Sequence, residues 1–204
     1  ERGGEALDDT WTRDADGWHR SAASGPSRRT GAALAGHAGS ARLVLFGGLD
    51  ERDAASDETW LWDGDAWARV RPTSSPSPRF AARVAADPES GALLLYGGCG
   101  EPSCARPLGD TWAWDGGAWT RRAAGGSGPA VAALVVEDGL AAVLRRSGAR
   151  GERWAGDAWE PLDGVAPLAD GFVAAEHPRA GGVVAFGGTP GSAGETWAYR
   201  CGPG

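Results

Sequence analysis

The chain has 204 residues, 34 of them Gly and 13 Pro, and carries a formal net charge of -7. No Gly-X-Y period runs through it, which excludes collagen, and 42% hydrophobic residues with 11 Trp exclude a disordered chain. The acidic balance argues against nucleic acid, whose phosphates need clustered positive charge, and no apolar run reaches the ~18 residues of a membrane span. Met, Lys, Ile, Asn and Gln are absent, so every basic residue is Arg, a bias that a GC-rich coding sequence would give. The missing Met and the Glu1 start predict a processed product or a fragment.

In chain order, the first signal is Thr10-Trp11 with Asp14, Asp16-Gly17 and Trp18, a partial unit over residues 1–20 with Gly3-Gly4 as the tail of a preceding strand. A full unit follows over 26–71. It runs from Pro26-Ser27-Arg28-Arg29 through Leu43-Val44-Leu45-Phe46-Gly47-Gly48 to Thr59-Trp60-Leu61-Trp62-Asp63-Gly64-Asp65-Ala66-Trp67. The same order returns over 78–122, with Arg79, Leu93-Leu94-Leu95-Tyr96-Gly97-Gly98 and Thr111-Trp112-Ala113-Trp114-Asp115-Gly116-Gly117-Ala118-Trp119. A degenerate unit over 128–162 keeps Trp154 and Trp159 but has Arg145-Arg146 where the glycine pair stood. The last partial unit, 163–200, holds Val183-Val184-Ala185-Phe186-Gly187-Gly188 and Thr196-Trp197-Ala198-Tyr199. Every Trp falls inside this repeat, whose period of ~40 to 50 residues is that of a four-stranded blade.

Each full unit predicts an antiparallel meander of strands A to D. Strand A is a small-residue segment such as Ala81 to Ala86, and strand B is the apolar run into Gly-Gly, continuous as in a strand buried on both faces. Strand C carries Trp60 and Trp62, whose two-residue spacing puts both rings on one face. Asp63-Gly64 predicts a tight hairpin, and Trp67 begins strand D. Neither face of such a sheet is buried alone, so the sheets must stack, with the indoles filling the gaps.

An apolar strand, Gly-Gly, an acid, Thr-Trp and a further Trp seven residues on resemble the kelch repeat. The resemblance covers essentially the whole chain, including the Pro-Arg segments at Arg29 and Arg79. It implies a β-propeller like the central domain of galactose oxidase. Counting strands gives two, then three sets of four, then three, which predicts an incomplete ring of about five units, belonging to a larger propeller with further blades or domains. The positions that carry the resemblance are Gly47, Gly48, Trp60, Trp67, Gly97, Gly98, Trp112, Trp119, Gly187, Gly188 and Trp197, all read as structural.

The chemical candidates are few. His37 and His177 fall where Asp87 falls, in the turn after strand A, and read as solvent-exposed turn residues. His19 follows Trp18 on a strand D. No two His pair with Cys or with each other at metal-ligand spacing, so no metal or cofactor is expected. Tyr96 and Tyr199 stand at packing positions, unlike the tyrosines of a copper oxidase. The acids before Thr-Trp (Asp8-Asp9, Asp57-Glu58, Asp110, Glu195) and Asp63 with Asp65 recur with the repeat and read as structural. Cys99 and Cys104 enclose a small loop suited to a disulfide in an oxidising environment, the alternative being reduced thiols in a cytosolic loop; Cys201 has no evident partner.

By alternation of strand direction, the B–C and D–A loops share one face, and these are the long, variable segments. Arg29 and Arg79 at the start of strand A, with Arg106, Glu51 and Asp53 on the loops, are the ligand-binding candidates. The same arginines would equally pair with the acid before Thr-Trp. The expectation is a non-catalytic binding module that recognises a protein or glycan and sits outside the cell or on its surface, a cytoplasmic site being the alternative. Two other readings stay open: part of a propeller enzyme of oxidase, epimerase or lyase type with its catalytic groups elsewhere, or a structural spacer.

Overall fold

The computed structural model describes residues 6–21, 24–37, 39–87, 90–123, 131–137, 140–147, 150–162, 173–177, 182–186 and 196–200. The described elements are all strands. β1 (Trp11–Arg13) and β2 (Trp18–Arg20) form a two-stranded ribbon. β3 (Ala33–His37), β4 (Arg42–Phe46), β5 (Thr59–Trp62) and β6 (Trp67–Val70) make the first four-stranded sheet. The second sheet is β7 (Arg83–Ala86), β8 (Leu93–Tyr96), β9 (Thr111–Trp114) and β10 (Trp119–Ala123), and the third is β11 (Val131–Glu137), β12 (Leu140–Ser147), β13 (Arg150–Trp154) and β14 (Trp159–Leu162). β15 (Val173–His177), β16 (Gly182–Phe186) and β17 (Thr196–Arg200) form a three-stranded sheet.

Each sheet is an antiparallel meander in chain order, compatible with a propeller blade, and the sheets do not close into a ring among the described residues. The first strands stand side by side, β3 against β7, β7 against β11 and β11 against β15. The register confirms the shared face of the tryptophans: Trp60 faces Arg69 and Trp62 faces Trp67, as Trp112 faces Arg121 and Trp114 faces Trp119.

The core is divided by the gaps between sheets. One cluster joins Val44, Phe46 and Leu61 of the first sheet to Leu93, Leu95, Trp114 and Trp119 of the second. Another joins Leu94 and Ala113 of the second sheet to Trp154 of the third. Strand β8 therefore sends alternate residues into opposite gaps, which is why its sequence is apolar without interruption.

The same contact recurs in three successive gaps. The first Trp of strand D donates its indole N–H to the Thr that opens strand C of the preceding unit: Trp67 to Thr10 at 2.8 Å, Trp119 to Thr59 at 3.0 Å and Trp159 to Thr111 at 2.7 Å. The aromatic residue ending strand B meets the same indole, Phe46 on Trp119 at 5.3 Å and Tyr96 on Trp159 at 5.6 Å between ring centroids. Tyr96 is thus a packing residue; the side chain of Tyr199 lies outside the described residues.

The glycine pairs have a geometric cause. Gly47 and Gly48 adopt φ +72° and +101°, and Gly97 and Gly98 adopt +67° and +93°, in the left-handed region. A side chain at Gly47 would strike the Arg79 carbonyl of the next sheet, and one at Gly98 would lie 2.6 Å from the Phe80 carbonyl. In the third sheet, β12 runs on through Arg145-Arg146, and Ser147 pairs with Arg150. A short connection there replaces the long B–C loop. Gly187 and Gly188 lie outside the described residues.

Two expectations are corrected. His37 and Asp87 are not solvent-exposed turn residues: each is 6% exposed. The turn after strand A lies under the C–D hairpin of the following sheet, where a Cβ at Gly116 would come within 3.3 Å of the His37 ring. His37 Nδ1 meets Ser40 Oγ at 2.9 Å, and Ser90 donates to Asp87 at 2.6 Å. The side chain of His177 lies outside the described residues.

Candidate functional site

The B–C and D–A connections meet at one edge of the sheets. Arg79 N–H donates to the Ser56 carbonyl at 3.0 Å and Gly48 N–H to the Arg79 carbonyl at 2.9 Å, so the loop after β4 is tied to the segment leading into β7. Pro26 and Pro76 are buried just before the two arginines.

Arg79 is fully buried, and its guanidinium makes five hydrogen bonds. Nε donates to the Ser77 carbonyl, and Nη1 donates to the Gly97 carbonyl at 3.0 Å and Asp110 Oδ1 at 2.6 Å. Nη2 donates to Ser77 Oγ and Asp110 Oδ2, each at 3.0 Å. Five bonds use every N–H the guanidinium has. Arg29 repeats the arrangement with the Gly47 carbonyl at 3.0 Å and Glu58 Oε2 at 2.7 Å, its side chain 8% exposed. Both arginines, candidates for ligand contact by their sequence position, hold their own sheet together. Each bridges strand B and the acid before strand C, because a planar fork reaches a carbonyl and a carboxylate at once.

The acids are tuned accordingly. Burial works to raise the Asp110 carboxyl, but the bonds from Arg79 and Trp112 and the Arg79 charge outweigh it and hold it below the usual range. Burial likewise opposes ionisation of Glu58, and the bonds from Trp60 Nε1 and Arg29, with the charges of Arg29 and Arg69, bring it down. Asp63 and Asp115 are lowered by backbone N–H donors of their hairpins, Ala66 then Asp65, and Ala118 then Gly117. These acids are turn and latch groups.

The remaining loop candidates point outward. Glu51, Asp53 and Arg106 are exposed. Glu51 and Asp53 ride on a turn closed by Asp50, whose Oδ1 accepts N–H bonds from Arg52 at 2.8 Å and Ala54 at 2.9 Å. Arg106 stands beside a loop closed by the Cys99–Cys104 disulfide, and Cys99 bridges both Phe80 and Pro107. The structure places these three residues on two neighbouring loops of one edge. Cys201 lies outside the described residues. Among the described residues, no three His, Cys, Asp or Glu converge as a metal site, and no helix is long and apolar enough to cross a membrane.

One feature escaped the sequence reading: a cleft of about 540 Å³ lined by Asp8, Asp9, Arg20 and the segment Ser24–Ser27. Its signal was present in the repeat, since Asp9 aligns with Glu58 and Asp110. The site is thus one edge of a stack of repeated four-stranded antiparallel sheets, with pinned loop bases and polar loop tips. No family model and no curated protein matches the chain.

Proposed function

We propose that the chain is a kelch-type β-propeller module that binds a protein or glycan, without catalysis, through the edge carrying the B–C and D–A loops, in an extracellular or cell-surface setting. The observation that carries this reading is the pinning of the loop bases by the Arg29–Glu58 and Arg79–Asp110 pairs and the Cys99–Cys104 bond, while Glu51, Asp53 and Arg106 stay exposed at the tips. A rigid base with polar tips limits the entropy lost when a ligand orders the loops. The disulfide favours an oxidising setting.

The test is binding of the purified chain to a glycan array and to a displayed peptide library. A triple variant Glu51→Ala, Asp53→Ala, Arg106→Ala should lose at least tenfold in affinity for any ligand found while keeping its circular dichroism. Unchanged binding by the triple variant, or chemical turnover of a bound ligand, would overturn the reading.

A further inference from the structure

Two neighbouring gaps are built on one plan and filled differently. At the end of strand A the first sheet carries His37 and the second Asp87, each 6% exposed. Three residues on, a serine anchors each side chain. Ser40 Oγ lies 2.9 Å from His37 Nδ1, and Ser90 donates to Asp87 Oδ2 at 2.6 Å. Across the gap stands the glycine of the next sheet's C–D hairpin, Gly116 opposite His37 and its repeat equivalent Gly156 on the side of Asp87.

The difference is reach. The imidazole crosses its gap, and a Cβ at Gly116 would lie 3.3 Å from His37 Cε1. A carboxyl on a single methylene stops short, and a Cβ at Gly156 meets no described atom within 4 Å. The space left is a cavity of about 250 Å³, several times the ~30 Å³ share of one water. Its described lining is Asp87, Ser90, Leu94, Ala113, Arg122 and Gly156. Leu94 and Ala113 make an apolar wall that also packs on Trp154, and Asp87 with Ser90 makes a polar end. Arg122 of β10 adds a guanidinium that forms no ion pair among the described residues. An apolar wall with a few converging polar groups is the usual form of a small-ligand site.

We propose that this cavity binds a small molecule with an imidazole-type head and an anionic tail. The head takes the place that His37 fills in the neighbouring gap, donating an N–H to the Asp87 carboxyl while its ring lies on Leu94 and Ala113 beside Gly156. The tail meets the Arg122 guanidinium in a charge-assisted hydrogen bond. The site is separate from the loop tips proposed above for a protein or glycan, because A–B turns and C–D hairpins lie at the other edge of the sheets.

The probes are imidazole and imidazole-4-acetate at about pH 6, where most of the imidazole carries a proton. Each is titrated into the isotope-labelled chain and followed by the indole N–H signals of Trp154 and of Trp114, its counterpart in the gap that His37 fills. A saturable shift at Trp154 with Trp114 unmoved is expected, in about the millimolar range that so small a molecule reaches. Imidazole-4-acetate should bind at least fivefold tighter than imidazole, and Arg122→Ala, at an exposed position, should remove that advantage. Asp87→Asn should weaken both probes at least tenfold. Asp87→His, which supplies the ring from the chain itself, should abolish the Trp154 shift and raise the melting temperature by filling the cavity. No saturable Trp154 shift with either probe at about 0.1 M would overturn the proposal and leave a hydrated gap. The same shift in Asp87→His would overturn it too, by placing the ring elsewhere. Should the Asp87 variants fail to fold, equal affinity of the two probes for the unaltered chain and for Arg122→Ala would sink it independently.

Discussion

At the scale of single residues, the arginine and acid that join strands B and C are the most demanding contacts in the sheets. Arg79 is buried with its full set of hydrogen bonds, so Arg79→Ala takes the guanidinium from Asp110, which keeps the Trp112 N–H, and a donor from the Gly97 carbonyl; breaking a buried pair of this kind costs about 3–5 kcal/mol. Arg79→Lys should be nearly as damaging in urea unfolding, because an ammonium cannot serve a carbonyl, a hydroxyl and both carboxylate oxygens together. The acid limb of stability follows from the same pairs. Asp110 and Glu58 ionise more readily folded than unfolded, so their contribution is fully present above the ordinary carboxylate range and disappears as pH falls through and below it. Asp110→Asn should lower stability at neutral pH and flatten that acid limb, measured as the urea midpoint against pH.

At the scale of elements, the turn at the end of strand B is set by backbone space. Gly98 combines φ +93° with a neighbouring carbonyl 2.6 Å from any added Cβ, whereas Gly64 has φ +111° and open space around it. Gly98→Ala should therefore lower stability by more than the ~1–3 kcal/mol of backbone strain alone, and Gly64→Ala by less than Gly98→Ala. Thermal unfolding of the two variants ranks them directly; the reverse order would mean the glycine pair is not a packing requirement. The third sheet shows what happens when the device is dropped. No arginine stands between Ala123 and Leu144 to serve as the latch, Arg150 aligns with the latch acid, and β12 continues through the arginine pair toward β13. Both halves of the latch and the glycine pair are lost together, as expected if they serve one long loop.

At the scale of the whole molecule, stability is a sum over gaps between neighbouring sheets, since the first sheet packs on the second and the second on the third, each of these gaps with its own core. Leu94 and Leu95 are adjacent in sequence but lie in different gaps. Each truncation to Ala should cost about 2–5 kcal/mol. Hydrogen exchange should then separate them, with Leu95→Ala raising exchange in β4 and β5, and Leu94→Ala raising it in β13 and β14. Equal spread of both effects over all sheets would mean that the stack unfolds as a single unit.

The sequence alone determined the unit. Two tryptophans two residues apart, an apolar run into Gly-Gly and an Asp-Gly turn are local signals, because strand alternation and left-handed backbone are decided within a few residues. They were enough to count the seventeen described strands by repeat position, β15 being the least marked. The partners across gaps were not legible. Trp119 bonds to a Thr 60 residues away, and nothing in the spacing says which neighbour will stand there. The internal pairing of Arg29 with Glu58 and of Arg79 with Asp110 was one of two readings the sequence offered, and the partners became visible only in the fold. His37 and Asp87 went from surface turn to buried group because the following sheet lies over them. Local chemistry fixes strands and turns; only stacking decides which polar groups end up dry, and a dry group must find a partner within the fold.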